Sequence, residues 1–236
     1  MHWSGEGLII GVRRHGETGV IAEVMVAGRG RCLGLIRGGR STKLAATLQA
    51  GNTVQVGWSA RLEEHLGTFQ LELLEARAAA LIADRTRLYA SQLICEHLHL
   101  LPERDPHDRL LGRAVRILDF EGTPHQLAAE VARYELELLE ELGFGLDLTS
   151  CAATGTTRDL THVSPKTGRA VSRSAAEPYL DRLLRLPPFL VGGGDPDEAE
   201  LADAFRLTGY FLDLYVWMPR QLDPPAIRDT FVHLVT

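Results

Sequence analysis

The sequence predicts an α+β protein, with a small β-barrel of Greek-key type at the N-terminus and an all-helical domain after it. Three observations carry this prediction. Five short runs rich in β-branched and aromatic residues, punctuated by glycine, lie before residue 75, and from Ala76 onward long Ala/Leu-rich stretches take over. Charge divides in the same place: residues 1–61 hold eight Lys or Arg against three Asp or Glu, a balance of +5, while the remainder carries −11.

Taken in order, Gly7–Val12 (GLIIGV) and Val20–Val26 (VIAEVMV) are predicted as adjacent strands joined by the polar turn RRHGETG. Arg31–Ile36 is a third strand, followed by the loop RGGRSTKL from Arg37 to Leu44. Asn52–Ser59 and Gly67–Leu74 both alternate with period two, and the second places Phe69, Leu71 and Leu73 on one face. Five short strands with no helix-length pattern between most of them suggest a barrel of the OB type over residues 1–79.

Residues 80–236 are assigned to the helical domain. Arg77–Leu101 contains no Gly or Pro and is predicted as one long helix closed by Pro102 and Pro106. His107–Phe120 gives another, and Thr123-Pro124 opens a third in the favoured order of cap then proline. This third helix carries a stripe of Val131, Tyr134, Leu138 and Leu142, widened by Leu139, with Glu135, Glu137, Glu140 and Glu141 on the other side; Gly143 suits a left-handed C-cap. Residues 148–175 form a turn-rich insert carrying Cys151. Ala175–Leu186, Ala199–Met218 and Ala226–Val235 complete the predicted helices, with Gly192-Gly193-Gly194 as a hinge and Asp195, Asp197 and Glu198 capping the helix after it.

A chain of 236 residues can bury a sizeable core in one large or two modest domains. No run approaches the ~18 apolar residues of a membrane span, and the N-terminus lacks the basic-then-apolar order of a signal peptide, so the expected location is cytoplasmic. Three widely spaced cysteines, Cys32, Cys95 and Cys151, argue against a disulfide framework.

Catalytic and cofactor motifs are not found. No phosphate-binding P-loop occurs, and acidic residues beside the glycine triplet would repel a phosphate. Lys166-Thr167-Gly168 matches the K-T-G of penicillin-recognising enzymes without the accompanying S-x-x-K or S-D-N. His97 and His99 stand two apart on a predicted helix, where side chains diverge from any shared metal. No enzyme activity, cofactor or metal is therefore expected. What does have a mechanism is the basic surplus: Arg13 and Arg14 in the first turn, with Arg37, Arg40 and Lys43 in the glycine-relieved loop, would line one barrel rim and track phosphates. Trp58 and Phe69 lie at alternating strand positions that favour core over base stacking.

The start GLIIGVRRHGETG, the loop IRGGRSTK, the helix RYELELLEELGFGLDL, the CAATG after it, and the later SPKTGRAVS and RLTGYFL segments together resemble the RecO family of bacterial recombination mediators over nearly the whole chain. The resemblance implies a non-catalytic DNA repair protein that binds single- and double-stranded DNA. It also implies annealing of strands coated with single-stranded DNA-binding protein, cooperation with RecR to load RecA recombinase, and association with the nucleoid. Carried onto this chain, the DNA-contact residues are Arg13, Arg14, Arg37, Arg40 and Lys43. Lys166, Arg169 and Arg206 are candidates to meet the acidic tail of the single-stranded DNA-binding protein.

One departure matters. Many members of the family hold a structural zinc with two C-x-x-C pairs, which here read Cys151-Ala152-Ala153-Thr154 and Ser172-Arg173-Ser174-Ala175. One thiolate cannot hold the metal, so a degenerate zinc-finger-like loop without zinc is expected. The other reading is a helical protein-interaction adaptor whose barrel binds no DNA.

Overall fold

The structure, a computed structural model, describes all residues from Met1 to Thr236, and the chain divides into two compact units, Met1–Asp119 and Phe120–Thr236. None of its helices is long and apolar enough to cross a membrane.

The first unit is built on five strands, β1 (His2–His15), β2 (Gly19–Val26), β3 (Gly30–Ile36), β4 (Thr53–Ser59) and β5 (Thr68–Glu75), with a single helical turn α1 (Thr42–Ala45) between β3 and β4. They close into a barrel in the order β1-β2-β3-β5-β4. Closure depends on the length of β1. Its first half pairs with β4 from His2↔Ser59 to Leu8↔Thr53, and its second half pairs with β2 from Gly7↔Val26 to His15↔Gly19. A register shift between Ile9 and Gly11 bends the strand as it passes from one partner to the other. Inside, Ile9, Val24, Val54, Val56, Trp58 and Phe69 are buried, so both aromatics are core. A side chain on Gly34 would meet the Phe69 ring at 2.4 Å, which leaves that position to glycine.

The first turn is shorter than the sequence predicts. β1 continues through Arg13, Arg14 and His15, paired with Ile21, Val20 and Gly19, so the two arginines stand on the strand and not in the turn. Backbone pairing satisfied across the whole hairpin outweighs the local turn signal of RRHGETG.

Three helices complete this unit: α2 (Ala78–Ala83), α3 (Arg85–Leu98) and α4 (Asp108–Leu118). The predicted Arg77–Leu101 helix is two helices. Asp84 leaves helical geometry at φ −128°, ψ 114°, and its carboxylate accepts hydrogen bonds from the backbone N–H groups of Thr86 and Arg87 at 2.9 and 3.1 Å. Aspartate satisfies orphan donors at a helix start better than it propagates a helix, which explains the break. Arg77 ties the region together: its Nη2 donates to Asp119 Oδ2 at 2.8 Å, its guanidinium also meets Glu75, and its backbone N–H donates to Asn52 Oδ1 at 2.9 Å.

The second unit centres on α5 (Pro124–Glu141), which opens with a capping box: Gln126 N–H donates to the Thr123 hydroxyl at 3.2 Å and the Gln126 side chain accepts from Thr123 N–H at 3.1 Å. Then come a small sheet of β6 (Leu160–Val163), β7 (Ala170–Ser172) and β8 (Leu184–Arg185), with α6 (Arg173–Ala176) between β7 and β8. After these follow α7 (Phe189–Gly192), α8 (Glu198–Leu212), α9 (Met218–Arg220) and α10 (Ala226–Val235).

Two expectations fail here, and the predicted Ala199–Met218 helix forms with a local change of geometry. Glu135 is wholly buried, not on the polar face of α5. Its carboxylate accepts from Arg228 Nε at 2.8 Å and Nη2 at 2.9 Å and from the Thr208 hydroxyl, which joins α5, α8 and α10. The predicted Ala175–Leu186 helix is α6, a 3-10 segment Glu177–Arg182 with Tyr179 at a non-helical φ of −135°, and β8. Pro178 supplies no N–H, and pairing of β8 with β6 takes the rest. The long C-terminal helix widens into a π-helical segment at Asp213–Trp217 just before Pro219, whose ring would clash with the carbonyl of the preceding turn.

Candidate nucleic-acid interface

The barrel brings the five predicted DNA-contact residues to one end. Arg14 lies in register with Val20, and Val20 with Ile36, so one row crosses three strands and Arg37 follows directly. The loop after β3 then folds back onto the β1–β2 turn: Arg40 N–H donates to Thr18 O at 3.2 Å, and its guanidinium donates to Glu17 O. Gly39 permits this approach, since a Cβ there would meet Val20 Cγ2 at 2.4 Å. Lys43 sits in α1 just beyond the loop.

Arg13, Arg14, Arg37, Arg40 and Lys43 are all exposed, and none is in a salt bridge. Glu17 is the acidic residue of the turn, and it engages Arg40 through its backbone carbonyl. Five solvated cations at one rim concentrate positive potential where a phosphate backbone would find it. Arg31 belongs to the same basic surplus in sequence, yet it is used inside: its Nε donates to Leu101 O at 2.8 Å and it pairs with Glu23. The alternation of β3 carries the signal that sequence reading passed over, because Arg31 stands one pairing step diagonal from the Leu33↔Glu23 row.

The cations expected to meet a partner's carboxylate are placed differently. Lys166 is exposed at the turn between β6 and β7. Arg169 Nε donates to Asp147 Oδ2 at 3.1 Å, and Arg206 Nη1 donates to Asp203 Oδ1 at 2.9 Å, one helical turn away on α8. Hydrogen bonds from the Thr149 hydroxyl and backbone N–H, then from Arg169, hold the Asp147 carboxyl below its usual range. Two of the three cations thus already have a carboxylate. The glycine triplet is a backbone device, with Gly193 and Gly194 at φ 79° and 101°, and the helix after it is capped by Asp197 accepting from Glu200 N–H at 2.8 Å.

The segment expected as a degenerate zinc-finger-like loop is held by packing and hydrogen bonds around Cys151. Cys151 is buried with Val171 and Ala176, and its sulfur accepts from Ser172 N–H at 3.3 Å and from the Ser172 hydroxyl at 3.4 Å. Burial opposes the thiolate, but hydrogen bonds from Ser172 and Thr154 and from the backbone of Ser172 and Ala153 outweigh it and bring the thiol pKa down to about 6. One sulfur among hydroxyls and methyls is not a tetrahedral set of N and S ligands, so these residues do not fit zinc.

A cationic barrel followed by an acidic helical unit defines a two-part protein of the polyanion-handling kind, and comparison with known proteins identifies which. The family model for the N-terminal domain of recombination protein O matches residues 1–77, and that for its C-terminal domain matches residues 82–222. The chain is 52% identical over 234 residues to the DNA repair protein RecO of Rhizobium etli, covering 98% of this chain and 91% of that protein. It is 49% identical over 242 residues to the DNA repair protein RecO of Methylobacterium nodulans, covering 100% and 98%. The chain belongs to the RecO family, and its role lies in DNA repair and recombination.

Proposed function

We propose that the protein is a non-enzymatic recombination mediator that binds single- and double-stranded DNA through an OB-type barrel, residues 1–79, and anneals complementary strands. With RecR it helps RecA recombinase onto DNA coated with single-stranded DNA-binding protein, at the nucleoid. The observation that carries this reading is the convergence of Arg13, Arg14, Arg37, Arg40 and Lys43, all without carboxylate partners, on one barrel rim. Cations left solvated and clustered release counterions when they meet phosphates, and this gives affinity without base specificity.

The helical domain, residues 80–236, would receive the protein partners. Lys166, exposed and unpaired, is the most available cation for the acidic tail of the single-stranded DNA-binding protein; Arg169 and Arg206 would have to exchange Asp147 and Asp203 for it. The test is strand annealing with and without the coating protein. A mediator accelerates annealing of both bare and coated strands, and the Arg37/Arg40/Lys43→Ala variant loses this together with DNA affinity. An adaptor that binds no DNA leaves the annealing rate unchanged.

A further inference from the structure

A second site lies in the barrel unit at the end away from the rim. The β2–β3 turn begins after Val26↔Gly30, whereas the rim begins after Val20↔Ile36, so the two are separated by most of the length of β2, roughly 20 Å at ~3.3 Å per residue. Beside that turn is a cavity of about 130 Å³ lined by Trp3, Trp58, Arg29, Arg104, Cys32 and Glu63, among others.

Its floor is an aromatic layer. Trp58 and Phe69 are buried, while Trp3 is half-buried and forms the outermost ring, stacked on Trp58 at 5.7 Å with an interplanar angle of 17°. The Arg29 guanidinium lies over Trp3 at 4.8 Å from the ring centroid. Arg104 enters from the loop before α4, held at a left-handed φ of 61° by its N–H to Arg31 O at 2.9 Å, and its Nη2 donates to His65 O at 3.1 Å. Neither Arg29 nor Arg104 has a carboxylate in salt-bridge range. Their charges converge on the cavity: burial raises the Cys32 thiol pKa, and Arg104 and Arg29 are the groups that pull it back.

A flat π-layer, two unpaired guanidinium groups and one carboxylate in a single small cavity match one chemical unit. We infer that this cavity takes an unpaired nucleotide of a single strand, with its base against the Trp3–Arg29 layer, its phosphate on Arg104 and its exocyclic amine donating to Glu63. The inference rests on the DNA-binding reading above and adds a base-contacting subsite to a rim that meets only backbone. Glu63 decides between occupants. A carboxylate accepts from the amino group of cytosine, which thymine lacks, so cytosine is preferred to thymine. In a duplex the base is stacked and paired and cannot enter.

The test uses the full chain and labelled oligo(dC), oligo(dT) and a duplex of equal length. The Arg29→Ala/Arg104→Gly variant removes both guanidinium groups, and glycine retains the left-handed φ without strain. It should weaken single-strand binding about 5- to 20-fold, the worth of a lost base-stacking contact, and leave duplex binding within about twofold. Tryptophan emission should be quenched by oligo(dC) in the native chain and in the Arg37/Arg40/Lys43→Ala variant at saturation, and Trp3→Phe should remove most of that quenching. Glu63→Gln should narrow the preference for oligo(dC). Unchanged single-strand affinity, an equal loss on single and double strands, or displacement of the oligonucleotide by an acidic aromatic peptide would each overturn the nucleotide site. Failure of the rim reading shows separately, as normal DNA binding by the Arg37/Arg40/Lys43→Ala variant.

Discussion

The two units use arginine in opposite ways. Residues 1–119 hold 15 basic and 13 acidic side chains and residues 120–236 hold 10 and 18, so the units carry +2 and −8. The barrel unit uses Arg31 and Arg77 as internal bolts and leaves the rim cations solvated. The helical unit ties arginines to neighbouring acids, Arg133 to Glu130, Arg169 to Asp147, Arg173 to Asp159 and Arg206 to Asp203, and sinks Arg228 against a wholly buried Glu135. A paired or buried guanidinium has already spent its hydrogen bonds on its own fold. An unpaired one keeps them for a ligand, which is why the DNA-handling reading belongs to the barrel even though the helical unit also carries arginines.

The comparison breaks most readily at Glu135. Arg228→Ala should destabilise the protein by about 3–5 kcal/mol, because it removes a guanidinium and its two hydrogen bonds from a wholly buried carboxylate, whereas Glu135→Leu with Arg228→Met should restore most of the loss. Urea unfolding of the two variants beside the native chain measures both effects. A loss below about 1 kcal/mol in the single variant would mean that this arginine is not a structural bolt.

At the rim the expected effect is on binding, not folding. Arg37/Arg40/Lys43→Ala should weaken DNA binding about 10- to 100-fold at low salt and lower the slope of log affinity against log salt by about 2–3, with the thermal midpoint unchanged. Anisotropy titrations at two salt concentrations and a melting curve decide this. A falling midpoint would place these cations with Arg31 as internal ties.

Cys151 sharpens the contrast from the helical side, where polar groups are satisfied internally. Its folded pKa of about 6 lies below the ordinary 9.0, so the thiolate is the favoured folded form at neutral pH. The stability this contributes is complete above the unfolded pKa and is lost as pH falls through about 6. Burial raises Cys95 to about 12 and also raises Cys32, so thiolate absorbance below the ordinary thiol range reports Cys151 alone. Ser172→Ala should move that titration upward; a curve that does not move would remove Ser172 as the cause.

The smallest effect is expected at Arg206. Its exposed one-turn pair with Asp203 should be worth no more than about 0.5 kcal/mol, so Arg206→Ala should leave the urea midpoint nearly unchanged. If it nevertheless weakens capture of an acidic peptide, the partner role proposed for Arg206 stands.

The sequence alone determined whatever depends on local period and composition. Alternation placed β4 and β5 and put Trp58 and Phe69 inside, cap and proline opened α5 at Thr123, and the basic residues of the rim stood out by charge. Tertiary structure decided whatever depends on which residues meet. Arg31 and Arg37 are alike in sequence, and only the fold shows that one meets Glu23 and a backbone carbonyl while the other faces water. Glu135 sits among exposed-face glutamates by helical period, and partners distant in sequence, Thr208 on α8 and Arg228 arriving from α10 93 residues later, make its burial tolerable. The single helix foreseen at Arg77–Leu101 broke because the Asp84 carboxylate found two backbone donors. Propensity fixes where a chain turns or coils, but the fate of a charge depends on the partner the fold brings to it, and a partner distant in sequence leaves no local pattern to read.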